Sequence, residues 1–151
     1  MTKRKKVLLI VLSISALAIC ISTLWFLFPE WSYINSDIEK VYCKATLDDN
    51  FAEDTILILL THEASMESVY YDYTPADFAE IGCVEVSDLS SGITEDIRTG
   101  EETDTATYRR ILSLKLKYPS KLNVLLAIKI LEHRADIYCA EPNYIFHVDF
   151  P

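Results

Sequence analysis

The sequence predicts an α+β fold: a four-stranded antiparallel sheet with two helices on one face, preceded by one transmembrane helix. Three observations lead there. Val7 to Phe28 run for 22 residues without a charge. Arg109 to Lys117 (RRILSLKLK) alternates apolar and polar side chains with a period of two, as a strand buried on one face does. Val124, Ala127, Ile128, Leu131 and Ala135 recur at helical spacing, and Leu125 broadens the stripe.

The N-terminal run comes first. At ~1.5 Å per residue a helix of that length reaches about 33 Å, against a hydrocarbon core of about 30 Å. Val7, Leu12, Leu17, Trp25 and Phe28 mark the expected anchor. Trp25 and Trp31 bracket its outer end, and Pro29 stops it. Lys3, Arg4, Lys5 and Lys6 form a basic tail over residues 1–6 and favour a cytoplasmic N-terminus, which puts the rest outside the cell membrane. Two other processing routes compete. A cleaved secretion signal wants a shorter apolar core and a small-residue cut site. A lipoprotein signal would use Leu17-Ala18-Ile19-Cys20, but bulky Ile19 takes the small position. The basic start and the unbroken span have a bacterial character.

Beyond the anchor, 10 Lys/Arg stand against 23 Asp/Glu, a net charge of −13. Such a domain is a poor partner for nucleic acid, whose affinity rests on Lys and Arg at phosphates. Residues 29–53 read as a stalk with a short helical stretch. The domain proper is expected over 54–151.

Its elements follow in order. Asp54 to Thr61 (DTILILLT) is short, apolar and flanked by polar residues, which favours a buried strand. Thr74-Pro75-Ala76-Asp77-Phe78 reads as a helix start, with Thr74 as cap, Pro75 at the first helical position and Asp77 completing a capping box. Phe78 and Ile81 would face the core, and Gly82 ends the helix. Cys83 to Leu89 is a half-buried strand. Residues 90–107 are rich in Ser, Thr, Glu, Asp and Gly and are expected to form a mobile acidic loop. Ser120 caps the second helix, and Asp136 to Val148 returns as a strand with Tyr144, Phe146 and Val148 on one side. Strand, helix, strand, strand, helix, strand is the split βαβ or ferredoxin-like (βαββαβ) order.

Several stretches carry a family likeness: the apolar first strand, Tyr73 to Phe78, Val86 to Leu89, Ile111 to Leu114, Ser120 to Leu125 and Ala140-Glu141-Pro142-Asn143-Tyr144. Together, Asp54 to Asp149 resembles the propeptide-like domains of subtilisin-type proteases (inhibitor I9-like). The last five residues are the most specific part and resemble the family's AEPNY ending. The resemblance implies a domain whose sheet face packs on a protease and whose C-terminal tail enters the active-site cleft. No protease domain follows here, so the implied action is in trans, as an inhibitor or chaperone of a subtilisin-like serine protease. Ile145 to Pro151 are a short tail for that task.

Without the resemblance, the candidate partner surface is the polar sheet face. By parity Ser113, Lys115, Lys117, Ile145 and His147 share or flank it, and Tyr144 and Phe146 complete the last strand. Exposed strand edges also accept partners. The alternative is a plain solvated surface with Lys guarding against aggregation, or a structural part of a membrane assembly.

No enzyme is expected. Asp48–Asp49 and Glu101, Glu102 and Asp104 read as solvated acids rather than catalytic or metal-binding groups, and His133 as a helix-end residue. No Ser/His/Asp set, metalloprotease helix motif or phosphate loop occurs. Cys43, Cys83 and Cys139 show no CxxC spacing, and no cofactor or metal is implied.

Overall fold

The structure, a computed structural model, describes residues 40–101 and 104–146 together with Thr23. The chain divides into two units, Met1–Asp37 and Ile38–Pro151, and every element below belongs to the second. Among the described residues no helix is long and apolar enough to cross a membrane. The expected anchor, with Val7, Leu12, Leu17, Trp25 and Phe28, lies outside the described residues, as does His147.

The elements are β1 (Phe51–Leu60), α1 (His62–Glu67), a 3₁₀ helix (Pro75–Ile81), β2 (Cys83–Asp88), α2 (Ser91–Thr99), β3 (Ile111–Leu116), α3 (Lys121–Leu131) and β4 (Ile137–Tyr144). The sheet order is β4-β1-β3-β2, and each neighbouring pair is antiparallel. An α+β domain with a four-stranded antiparallel sheet is therefore present, as the sequence predicted. The two inner strands, β1 and β3, are the ones with the strongest apolar patterns.

Burial follows strand parity. Ile56, Ile58 and Leu60 of β1 and Leu112, Leu114 and Leu116 of β3 are buried, with Ile137 and Ala140 of β4 beside them. The helical layer closes over them with Val124, Ala127, Ile128 and Leu131 of α3, and Phe78 of the 3₁₀ helix. These aliphatic chains each gain ~1.5–3 kcal/mol on leaving water, and this burial holds the layers together.

The local signals act as read. The Ser120 side chain accepts from the Asn123 amide at 3.3 Å and caps α3. The Asp77 carboxylate reaches back to the Thr74 amide at 2.8 Å. Gly82 ends that element at φ 68°, a left-handed conformation that suits glycine. The element is a 3₁₀ helix rather than an α-helix, with non-helical angles at Phe78. The element has only seven residues, Pro75–Ile81, before the Gly82 stop, and Phe78 must turn inward to reach the core.

Two stretches differ from expectation. The supposed mobile loop 90–107 carries helix α2, Ser91–Thr99. Thr94 is buried, its hydroxyl bonded to the Ser90 carbonyl at 3.0 Å and the Tyr108 hydroxyl at 2.7 Å. Polar residues are ordered here by mutual hydrogen bonds, which hydrophobic patterning does not register. The second stretch belongs to the expected stalk. β1 starts at Phe51, and Lys40 to Asn50 form a strap along the domain. Val41 makes a parallel bridge to Cys139, and Cys43 joins the core. Lys40 Nζ donates to the carbonyls of Glu132, at 2.9 Å, and Arg134, just past the end of α3. The Cys43 amide donates to the buried Glu132 carboxylate at 2.7 Å, and Lys129 pairs with the same carboxylate at 2.8 Å. A cation at a helix C-terminus is favoured by the helix dipole.

The end of the sheet where β3 begins is organised around Arg110, which is 2% exposed. Its Nε donates to Asp88 Oδ2 at 2.8 Å, and its Nη1 donates to the carbonyls of Ser68 and Tyr71, both at 2.6 Å. Its amide donates to Ser65 Oγ at 2.8 Å. Burial pushes the Asp88 carboxyl up, but hydrogen bonds from Ser90 and Arg110 outweigh it and hold the group below the usual carboxylate range.

Arg110→Ala takes one donor from Asp88 and from each of two carbonyls at a largely buried site, so it should destabilise residues 38–151 by about 3 kcal/mol in urea unfolding. A loss below about 1 kcal/mol would show that water replaces the guanidinium. Because the folded pKa of Asp88 lies below the unfolded one, its stabilisation is complete at neutral pH and fades as pH falls below about 4. Asp88→Asn should therefore flatten the acid limb of stability between about pH 4 and pH 2. Unfolding midpoints of both proteins across that range check the sign.

Candidate functional site

The helical layer covers one face of the sheet, and the other face carries two of the predicted partner-binding residues, Ser113 and Lys115. β1 is apolar at consecutive positions, so it offers aliphatic side chains to both faces. Ile56, Ile58 and Leu60 go to the core, which leaves Leu57 and Leu59, half-buried, on the open side. Register then sets their neighbours. Leu59 stands opposite Ile111 on β3 and Cys139 on β4. Leu57 stands between Ser113 and Glu141, and Ser113 is followed outward by Ser87. Thr55 and Glu85 flank Lys115 in the row after that.

The open face is therefore graded. One end is an apolar row, Ile111–Leu59–Cys139, and the other is polar and charged. A shallow depression of about 220 Å³ lies over the apolar end, lined by Leu57, Leu59, Ile111, Cys139 and Glu141. Ile111 is 39% exposed despite being an isoleucine at mid-sheet. Just beyond, the Arg109 guanidinium stacks over the Tyr138 ring at 3.8 Å.

The predicted residues divide. Ser113 and Lys115 lie on this face as parity required, Ser113 half-buried and Lys115 exposed. Lys117 lies past the end of β3, with its ammonium over the Tyr118 ring at 5.3 Å. Tyr144 ends β4 opposite Phe51, the two rings edge to face at 6.3 Å, and so belongs with the core-side parity. Ile145 follows the strand. Its amide donates to Asn50 O at 3.0 Å and its carbonyl accepts from Asn50 Nδ2 at 3.1 Å. Phe146 is 85% exposed and stands 6.5 Å from the Tyr144 ring. The face thus gathers Ser113 and Lys115, while Tyr144, Ile145 and Phe146 form a separate group at the end of β4.

Reasoning from β3 alone missed Leu57, Leu59, Ile111 and Cys139. The signal was in the first strand: ILILL without alternation means both faces are apolar, and Ile111 shares the parity of Ser113.

Among the other residues singled out from the sequence, Asp49, Asp104 and His133 make local contacts. Asp49 accepts from the Thr46 amide at 2.7 Å and closes a turn. Asp104 accepts from the Ala106 amide at 2.9 Å. The His133 amide donates to the Ile130 carbonyl at the end of α3. Among the described residues no group of three His, Cys, Asp or Glu could hold a metal ion. Burial, with Glu141 and Glu132 nearby, pushes the Cys139 thiol up to about 11. Burial likewise takes Cys43 up to about 12, and its thiol donates to Glu141 at 3.3 Å. Both are protonated at neutral pH and pack as small apolar side chains. Comparisons with family models, curated proteins and solved structures found no match.

A thiol held near 11 should react with iodoacetamide roughly a hundredfold more slowly at pH 7.5 than a free cysteine, its rate climbing with pH into the alkaline range. Site-resolved mass spectrometry of Cys139 labelling from pH 7 to 10 measures this. A plateau by pH 9 would contradict it.

Proposed function

We propose that the domain is a non-catalytic protein-binding module of ferredoxin-like fold, held on the outer face of the cell membrane by residues 7–28. Its partner is a subtilisin-like serine protease, which it inhibits or chaperones in trans. One observation carries the binding reading: the apolar row Ile111–Leu59–Cys139 lies partly exposed at one end of the open sheet face. A soluble domain gains nothing by holding such a row in water, and burying it against a partner recovers the hydrophobic term. The Ser113 and Lys115 rows supply a polar border, the usual anatomy of an interface. The likeness to protease propeptides supports the protease as partner, because there the sheet face is the docking surface. The strand order β4-β1-β3-β2, with helices on one face, supports the ferredoxin-like assignment.

A second reading keeps the binding surface and drops inhibition: a structural or surface-interaction domain of a membrane assembly. The pairing of Ile145 with Asn50 favours it, since this pairing ties down the start of the tail that would have to enter a cleft.

Purified residues 38–151 should inhibit at least one member of a subtilisin-like protease panel with a nanomolar constant. Leu59→Asp and Ile111→Asp should each weaken inhibition more than about tenfold, since each buries an unpaired charge at the interface centre. Loss of inhibition on deleting Tyr144 to Pro151 would place the tail in the cleft. Binding without inhibition selects the structural reading, and no binding across the panel rejects the protease as partner.

A further inference from the structure

The chain from Ser68 to Thr74 reads SVYYDYT and joins α1 to the 3₁₀ helix. Loops of this kind are ordinarily mobile, yet this one is clamped by two guanidiniums. Arg110 binds the carbonyls of Ser68 and Tyr71. Arg98, from α2, binds the Val69 carbonyl twice, through Nε at 3.1 Å and Nη2 at 2.8 Å. Three carbonyls in four consecutive residues thus accept from arginine. The Tyr71 amide closes the turn onto Ser68 O at 3.0 Å, and the Tyr71 hydroxyl donates to Asp77 at 2.5 Å. Its ring stands edge-on to Tyr73 at 5.1 Å, and Tyr73 packs on Phe78.

A backbone held this firmly displays its largest side chains outward. Tyr70 is 78% exposed and Tyr71 47%. Tyrosine rings on a preordered loop make contact area at small entropic cost, which is why paratopes and binding hot spots favour them. Apart from the two clamping guanidiniums, the stretch of chain that carries these tyrosines is acidic. From Thr61 to Glu80 the chain holds five acids and no Lys or Arg. The two clamping arginines have buried or local acidic partners, Asp88 for Arg110 and Glu95 for Arg98, and both also approach Asp72. Asp72 lies beside the tyrosines with its Oδ1 3.3 Å from Arg98 and 3.9 Å from Arg110, and its side chain, 85% exposed, keeps room for another donor.

Ring faces beside an open carboxylate suit one chemistry above others. A guanidinium can stack on a tyrosine while donating in its own plane to a carboxylate; an ammonium must choose. We propose that the Ser68–Thr74 loop is a second interaction surface, taking an arginine-bearing segment of a protein partner on Tyr70, Tyr71 and Asp72. It is separate from the open sheet face and does not rest on that face's partner being a protease.

The test uses the full chain in detergent micelles, with fluorescein-labelled hexa-arginine and hexa-lysine peptides as probes at 0.15 M salt. Anisotropy titration should give hexa-arginine the tighter binding by about fivefold or more, the difference a stacked guanidinium makes. Tyr70→Ser should weaken hexa-arginine about fivefold, and Tyr70→Phe, which keeps the ring, by less than twofold. Leu122→Ser, an exposed and uncharged change on α3, should leave it unchanged. Because Tyr70 is so exposed, Tyr70→Ser should melt with the wild type, and Tyr70→Phe guards the comparison if it does not. Equal affinity for the two peptides, or full hexa-arginine binding by Tyr70→Ser, would reduce the effect to general attraction by an acidic protein and overturn the proposal.

Discussion

Arg110 is a charged group taken out of water, and a charge in that position is tolerated only with a full set of partners. Three segments far apart in sequence supply them: the end of β2 through Asp88, helix α1 through Ser65, and the loop after it through two carbonyls. Each of those segments is shaped by the need. Ser90 steadies Asp88 with its amide and its hydroxyl, at 2.8 and 2.7 Å, and its hydroxyl also accepts from the Ile111 amide at the head of β3. Thr94 brings α2 onto this group, and Tyr108 fastens the return into β3. The apolar core determines that strands and α3 stack. The guanidinium determines how the irregular end of the sheet is laced, and through it the setting of the tyrosine loop.

That division explains what could be read from the sequence. Elements driven by apolar periodicity were legible: β3 with its alternating leucines, α3 with its stripe, the Thr74 and Ser120 caps and the Gly82 stop. Elements driven by polar lacing were not. Ser91–Thr99 offers only Ile93 and Ile97 at helical spacing and the Gly100 stop, and its docking through Thr94 is hidden, because buried hydroxyls look like loop residues until their partners are known. Lys40, Cys43 and Glu132 likewise reveal their contacts only when the chain between Cys43 and Glu132, 89 positions apart, has folded. The open face was half legible. Parity placed Ser113 and Lys115, but the aliphatic residues beside them belong to β1, and only the pairing of β1 with β3 and β4 brings Leu59, Ile111 and Cys139 into one row.

The two exposed surfaces differ in physical kind. The sheet face is aliphatic at one end, shallow and set by a rigid β register, so a partner there would be chosen by shape. The loop is aromatic and acidic, so a partner there would be chosen by charge and by ring stacking. Neither needs the ionisation of a cysteine, since burial keeps the thiols of Cys43 and Cys139 protonated.

The strap from Lys40 to Asn50 has a mechanical consequence. It runs parallel to β4, so Lys40 and the Tyr144–Phe146 group sit at opposite ends of two neighbouring segments. Tension entering at residue 40 while a partner grips Phe146 would slide the strap along β4 rather than peel it away. Sliding loads the Lys40 bonds to the carbonyls of Glu132 and Arg134, the Cys43 bond to Glu132 and the Val41 bridge together, whereas peeling would break them in turn. A domain tethered from its N-terminal side and held by its C-terminal aromatics would therefore resist traction through the end of α3, with Glu132 as the rivet.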